Sequence, residues 1–188
     1  MIDLNSNNFE SKSIRPFNDG IAGIVEPVAI ADVERDPEKN RWVITYQDSN
    51  GGTLRDFYSY INADNQADLE KQLKGQGITL RHLWKEIVGN VALPTFNTPI
   101  EMLDTIMNTL KVHSKGKFFK LVVDYGYGDR HNTNLNRKKF VPFLEKVGVE
   151  KSALFMVKGA YTTPAEPSKL EDVVKTPPRE TIDDWLTK

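Results

Sequence analysis

Apolar and polar positions alternate with a period of two in the first third of the chain, which predicts β-strands. Pro27 interrupts the first of these runs and predicts an edge or a bulge there. The loop before the third run contains Asn50-Gly51, the pair most typical of a tight β-hairpin. The strand-like runs, rich in β-branched and aromatic residues, are 21–33, 41–46 and 53–61.

A helical period replaces this alternation after residue 64. Asp64 or Asn65 is suited to cap a short helix that ends at Gly75 or Gly77. A second helix is predicted from the apolar stripe Leu80, Leu83, Trp84, Ile87 and Val88, which stops at Gly89. Thr98-Pro99-Ile100-Glu101 has the composition of a helix N-terminus and predicts a third helix, with a buried stripe of Ile100, Leu103, Ile106, Met107 and Leu110.

The β pattern then returns. Residues 117–125 predict a fourth strand and residues 126–134 a loop, whereas residues 137–147 favour an amphipathic helix that Pro142 shortens or kinks. Residues 153–158 predict the last strand. Three strands, a helical insertion and two strands give a mainly β fold with inserted helices (α+β), and the OB-fold, a small five-stranded barrel, has this layout.

Composition indicates one domain with additional segments at both ends. The chain has 188 residues, of which 39% are hydrophobic and 27% charged, as in a globular protein. We predict a flexible arm over residues 1–19, an OB-like nucleic-acid-binding domain over 20–161 and a disordered tail, rich in Pro, Thr, Ser, Glu and Lys, over 162–188.

Cysteine is absent from the sequence, which excludes disulfides and thiolate metal sites and suits a reducing compartment. The N-terminus lacks the pattern of a signal peptide, and no apolar run reaches the roughly 20 residues of a membrane span. The sequence therefore predicts a cytoplasmic protein, located in the host cytoplasm if it is viral.

The net charge of -1 conceals a segregation of charge along the chain. Residues 111–158 carry eleven basic and four acidic side chains, a net charge of +7, and the remainder is acidic. Such asymmetry is typical of nucleic-acid contact, although a solvated basic face has the same composition.

The sequence holds no motif for catalysis, a metal or a cofactor. His82, His113 and His131 lie far apart and form no metal-binding pair. No Walker loop, G-x-G-x-x-G or G-x-S-x-G is present, and Gly126-Tyr127-Gly128 is interpreted as a turn. We therefore expect no catalytic residues, no metal and no cofactor, and a protein that is not an enzyme.

Aromatic residues interleaved with basic ones remain as candidate chemistry, because aromatic rings stack on bases and cations neutralise phosphates. Each aromatic residue can equally fill the core. The candidate nucleic-acid-binding residues are Arg41, Trp42, Tyr46, Tyr58, Tyr60, Lys115, Lys117, Lys120, Tyr125, Tyr127, Arg130, Arg137, Lys138 and Lys139. In the predicted tail, Asp183, Asp184 and Trp185 form a candidate docking motif for a partner protein, and solvated filler is the alternative.

The layout over residues 20–161 resembles the OB-fold single-stranded DNA-binding proteins of bacteriophages. The residues that carry the resemblance are 42–46, 118–126 and 139–144, and the tail is similar in style to tails by which such proteins recruit replication partners. The resemblance implies sequence-tolerant binding of single-stranded DNA, or of RNA, in replication, recombination or repair. A viral structural or adaptor protein with an aromatic contact patch is the alternative, and a nuclease or other enzyme comes third.

Overall fold

The computed structural model describes residues 15–62, 65–126, 129–135 and 142–156, apart from the side chains of residues 126 and 129–135. The elements are β1 (Gly23–Asp36), β2 (Arg41–Asp48), β3 (Thr53–Ser59), α1 (Gln66–Ile87), α2 (Pro99–His113), β4 (Phe118–Gly126), β5 (Asp129–Leu135) and β6 (Leu144–Lys146). The predicted α+β class is confirmed, and both helices lie between the third and fourth strands.

One antiparallel sheet joins all of these strands. Its order is β3-β2-β1-β4-β5, and the short β6 pairs with β4 beside β5. The end strands β3 and β5 also contact each other, but no ladder joins their described residues. The sheet is therefore strongly curved without being closed.

The central strand β1 bends at two irregularities. Its pairing with β4 shifts between Val25 and Val28, around Pro27, and its pairing with β2 shifts between Ile30 and Asp32. Pro27 has no N–H to give to a ladder, so the pairing skips it. The bulge predicted at Pro27 is confirmed, and β1 is a central strand rather than an edge strand.

Residues 66–87 form one helix, so the prediction of two helices separated at Gly75 or Gly77 is wrong. Asn65 caps it as predicted, since its side chain accepts a hydrogen bond from the Asp68 N–H. Each internal glycine costs about 1 kcal/mol relative to alanine. The buried side chains of the later turns of α1, such as Leu80, Leu83 and Ile87, bind the helix to the core and outweigh this cost.

The start of α2 is confirmed. The Thr98 hydroxyl accepts a hydrogen bond from the Glu101 N–H at 3.1 Å, and Pro99 occupies the first turn. Glu101 accepts a hydrogen bond from the Asn97 N–H. In the predicted buried stripe of α2, Ile100 is exposed while the other four residues are buried.

The end of the domain differs most from the prediction. Residues 129–134, predicted as part of a loop, form β5 together with Leu135, and residues 144–146, predicted as helix, form β6. Residues 153–156, predicted as the last strand, form no strand. β5 has the polar sequence Asp-Arg-His-Asn-Thr-Asn-Leu, so its structure comes from pairing with the edge of β4 rather than from propensity.

A short segment before β1 packs on the hairpin. The 3₁₀ turn Phe17–Gly20 buries the Phe17 ring, and Pro16 forms a parallel bridge with Thr53. The folded part therefore begins before residue 20. Gly52 lies so close that a Cβ there would be 2.5 Å from the Pro16 carbonyl oxygen, and this contact requires glycine.

Asp48 holds this junction together. Its buried carboxylate accepts hydrogen bonds from the Asn18 N–H at 2.6 Å and from the Asn50 and Gly52 N–H groups at 2.8 Å each. One side chain thus shapes the β2–β3 loop and attaches the preceding 3₁₀ turn to it.

We predict that Asp48→Ala lowers the free energy of unfolding by about 2–3 kcal/mol, because it leaves backbone donors without a charged acceptor. Urea denaturation measures the change. The control is Gln47→Ala, an exposed neighbour, which should change stability by no more than about 0.5 kcal/mol. Equal effects of the two substitutions would contradict this role of Asp48.

His82 joins α1 to β6. Its Nε2 accepts a hydrogen bond from the Leu144 N–H at 3.3 Å, and its ring contacts Phe143 edge-on. Only the neutral form accepts at this nitrogen. Burial lowers the pKa of His82, and the charge of Lys85 lowers it as well.

We predict that the hydrogen bond between His82 and Leu144 stabilises the fold less at acidic pH. The unfolded state binds the proton more tightly, so the contribution of His82 is complete above about pH 6.5 and is lost as the pH falls towards the folded-state pKa. Melting temperatures of the wild type and His82→Gln between pH 7.5 and 5 test this, and the wild type should lose more. Burial raises the pKa of neighbouring Glu86. This shift changes stability with pH in the opposite direction, but it is present in both proteins. Parallel pH profiles would contradict the prediction.

Candidate nucleic-acid interface

The alternation along β2 and β3 directs most of the predicted stacking residues into the core. Trp42 lies opposite Tyr58 in the ladder, and Tyr46 lies on the same face of β2. These three rings and Tyr125 of β4 are at most 5% exposed. They are core residues, and this corrects their assignment as a base-stacking platform.

The outer face of the same hairpin presents Phe57, which sequence reasoning did not select. Phe57 lies opposite Val43 and is 39% exposed. The Arg41 guanidinium lies over its ring, 4.1 Å from the centroid. The signal was present in the period of two, because Phe57 shares a face with Thr53, Arg55 and Ser59 and not with the apolar positions.

Asp36 positions Arg41. Its carboxylate accepts a hydrogen bond from Arg41 Nε at 3.0 Å and another from the Lys39 N–H at 3.2 Å. Slight desolvation raises the pKa of Asp36, but these two hydrogen bonds outweigh it, so the pKa lies below its usual value. The guanidinium is therefore held over the Phe57 ring by a carboxylate that stays ionised at neutral pH.

Among the predicted aromatic residues that the structure describes, Tyr60 is the one that remains partly accessible. Its hydroxyl donates a hydrogen bond to Asp104 Oδ1 of α2, which also accepts one from Trp42 Nε1 at 2.7 Å. The Arg35 guanidinium lies 5.6 Å from the centre of the Tyr60 ring. Burial raises the pKa of Tyr60, and the hydrogen bond to Asp104 raises it further. The ring is thus fixed at the boundary between the hairpin and α2.

A cleft of about 480 Å³ runs between β3 and α1, and Phe57 and Tyr60 both line it. Gln76 of α1 lies across the cleft and donates a hydrogen bond to the Ser59 carbonyl. An open cleft to which Phe57 and Tyr60 contribute, each with an arginine over its ring, has the chemistry to receive a flat ligand.

The predicted basic residues have varied surroundings. Lys117 donates a hydrogen bond to the Ile87 carbonyl at the end of α1, at 2.7 Å, and Lys120 pairs with Glu26 at 3.3 Å. These two ammonium groups therefore support the fold. Lys115 is exposed in the turn after α2.

Carboxylates of β1 neutralise cations from several neighbouring elements. Asp36 pairs with Arg41 and Glu34 pairs with Arg55, while Asp32 pairs with Lys111 at 3.7 Å. Together with the Glu26 pair, this acidic row lowers the positive charge that the described sheet offers to phosphates.

Several predicted residues cannot be placed at this surface. Arg130 lies in β5, but its side chain is among those not described. The remaining candidates lie outside the described residues: Tyr127, Arg137, Lys138, Lys139, Asp183, Asp184 and Trp185.

A second depression, of about 730 Å³, lies between α1, α2 and the connection between them, and we call it the helical groove. Leu93, Phe96, Met102 and Ile106 contribute to its apolar lining. Trp84 Nε1 donates a hydrogen bond to the Val91 carbonyl at 2.7 Å and holds the start of the connection against α1.

Within the described ranges, no three histidine or acidic side chains come together as a metal site. No helix in that part of the chain is both long and apolar enough to cross a membrane. Comparisons of the chain with models of protein families, with curated proteins and with solved structures find no match.

Proposed function

We propose that this chain is an OB-type protein that binds single-stranded DNA without sequence preference, and without catalysis, in replication, recombination or repair. The observation that carries the proposal is the exposed Phe57 ring, which stacks with Arg41 beside the cleft at Tyr60. A stack of this kind suits bases because every base has a π-face and none has to be distinguished.

The strand arrangement supports the OB assignment. β1 pairs with both β2 and β4, and β3 contacts β5, the partner of β4. Closing that last contact would give the cyclic order 1-2-3-5-4 of a five-stranded Greek-key barrel, and OB barrels are often partly open. The helices lie between the third and fourth strands, as the resemblance implies.

The position of the stack supports the proposed ligand. OB-folds bind oligonucleotides on the face of their second and third strands, between the loops that join strands 1 to 2 and 4 to 5. Arg41 begins β2 and Phe57 belongs to β3. Arg35 and Lys39 lie near the first of these loops, where cations can neutralise phosphates.

We predict that fluorescein-labelled oligo-dT binds the protein in the presence of EDTA and that binding weakens as salt rises. The logarithm of affinity should fall linearly with the logarithm of salt concentration, by about 0.7 for each phosphate contact. Fluorescence anisotropy from 20 mM to about 300 mM salt measures this slope. Absence of binding to DNA and RNA at the lowest salt would end the proposal and favour the adaptor alternative.

We further predict that aromatic substitutions separate into two groups. Phe57→Ala should weaken oligo-dT binding by about 5–150-fold, the equivalent of 1–3 kcal/mol, and keep the fold. Tyr46→Ala, a fully buried position, should cost about 3–5 kcal/mol of stability.

The matched control is Phe155→Ala, which removes another exposed ring outside the hairpin and should leave affinity unchanged. Anisotropy and thermal melting on all three variants separate affinity from stability. Equal loss of affinity in Phe57→Ala and Phe155→Ala would rule out the hairpin as the stacking surface.

A further inference from the structure

The helical groove combines an apolar floor with a basic rim. Lys74, Arg81 and Lys85 line it from α1 and are exposed. Their spacing of seven and four residues puts them on one side of the helix. None of the described residues that line the groove is acidic. Such a groove fits a short segment that carries both acidic and large apolar side chains.

The acidic side chain of Glu86, on the same helix, does not neutralise the positive charge of this rim. The backbone of Lys146 in β6 lies near its carboxylate, which therefore faces β6. His82, whose ring also lines the groove, is held neutral by the geometry of its bond to Leu144. The charge at the rim is thus positive.

The chain itself contains a segment of the matching chemistry. Residues 182–186 read Ile-Asp-Asp-Trp-Leu, so that Asp183 and Asp184 stand between Ile182 and Trp185. The segment lies outside the described residues. The other two tryptophans of the sequence, Trp42 and Trp84, are buried in the described core.

The described part of the chain ends near the groove. The Ala153 N–H donates a hydrogen bond to Glu145 of β6 at 2.9 Å, and the adjacent Leu144 is bonded to His82. The 25 residues between Met156 and Ile182 can span up to about 80 Å. A domain of this size has a radius of gyration of about 15 Å, so the segment can reach the groove of its own chain.

We infer that residues 182–186 dock in the helical groove of the same chain, with Trp185 against the apolar floor and Asp183 and Asp184 facing the basic rim. Tethering gives the segment an effective concentration on the order of millimolar, so a contact too weak to form between molecules is occupied within one. The inference does not depend on DNA binding, and either proposal can fail alone.

Spin labelling of the full chain tests the inference. Because the sequence has no cysteine, Thr187→Cys provides a single site for a nitroxide. In the isotope-labelled protein, the amide signals of Gly77, Arg81 and Phe96 should lose most of their intensity compared with the reduced label. Signals of Asn50 and Gly51 in the hairpin loop should keep theirs.

Two variants and one control identify the contact. Arg81→Glu and Trp185→Ala should each restore the groove signals, and Trp185→Ala changes no described residue. Lys115→Glu, the same charge reversal beyond the far end of α2, should leave the broadening in place. If Lys115→Glu alone restored the groove signals, the segment would bind near Lys115 instead of in the helical groove, and the inference would be overturned.

A mixed sample decides whose segment is bound. Isotope-labelled chains without the nitroxide are combined with nitroxide-carrying chains that have no isotope label. The groove signals of the isotope-labelled chains should stay sharp at about 0.1 mM, because this concentration is well below the millimolar effective concentration of a tethered segment. Broadening in the mixture would assign the groove to a second copy and overturn the intramolecular docking. Absence of broadening in the doubly labelled chain would overturn it too.

Discussion

The Asp104 carboxylate fixes the helical insertion to the sheet. Its Oδ1 accepts hydrogen bonds from the Trp42 indole of β2 and from the Tyr60 hydroxyl that follows β3. A carboxylate that accepts two such donors contributes more than a neutral pair does. The cleft and the helical groove both depend on this interaction, because Tyr60 lines the cleft while Met102 and Ile106, on either side of Asp104 in α2, line the groove.

Local chemistry made much of the fold predictable from the sequence. Asn50-Gly51 indicates the hairpin, and Thr98 and Asn65 indicate the helix starts, because each of these signals acts through neighbours within four residues. β5 was not predictable, since its polar residues become a strand only through pairing with β4. The site was only partly predictable for a related reason. The period of two shows that Phe57 and Tyr58 face opposite ways, but the packing of the whole sheet decides which of them is buried.

Folding also redistributes the charge that the sequence segregates. The basic stretch begins at Lys111, and Lys111 and Lys120 pair with Asp32 and Glu26 of the acidic N-terminal half. The exposed Lys111–Asp32 pair contributes little to stability, about 0–1 kcal/mol. Its larger effect is on the surface potential, because a cation beside a carboxylate attracts a phosphate less strongly. Net charge along a segment of sequence therefore overestimates the charge that the described face of the sheet presents.

The two depressions share one stretch of α1. Gln72, Gly75, Gln76 and Thr79 line the cleft, whereas Lys74, Gly77 and Ile78 line the groove. At 100° per residue, these two sets lie on opposite sides of the helix. Gly75 and Gly77, which the sequence suggested as helix ends, lie within α1 instead. Because they have no side chain, α1 is narrow at the turns that line the two depressions. Without a Cβ at Gly75 and Gly77, the helix backbone contributes directly to both walls, and the same absence lowers the intrinsic helix stability of these turns by about 1 kcal/mol for each glycine. A ligand in either depression would therefore contact the turns of α1 that contain these glycines.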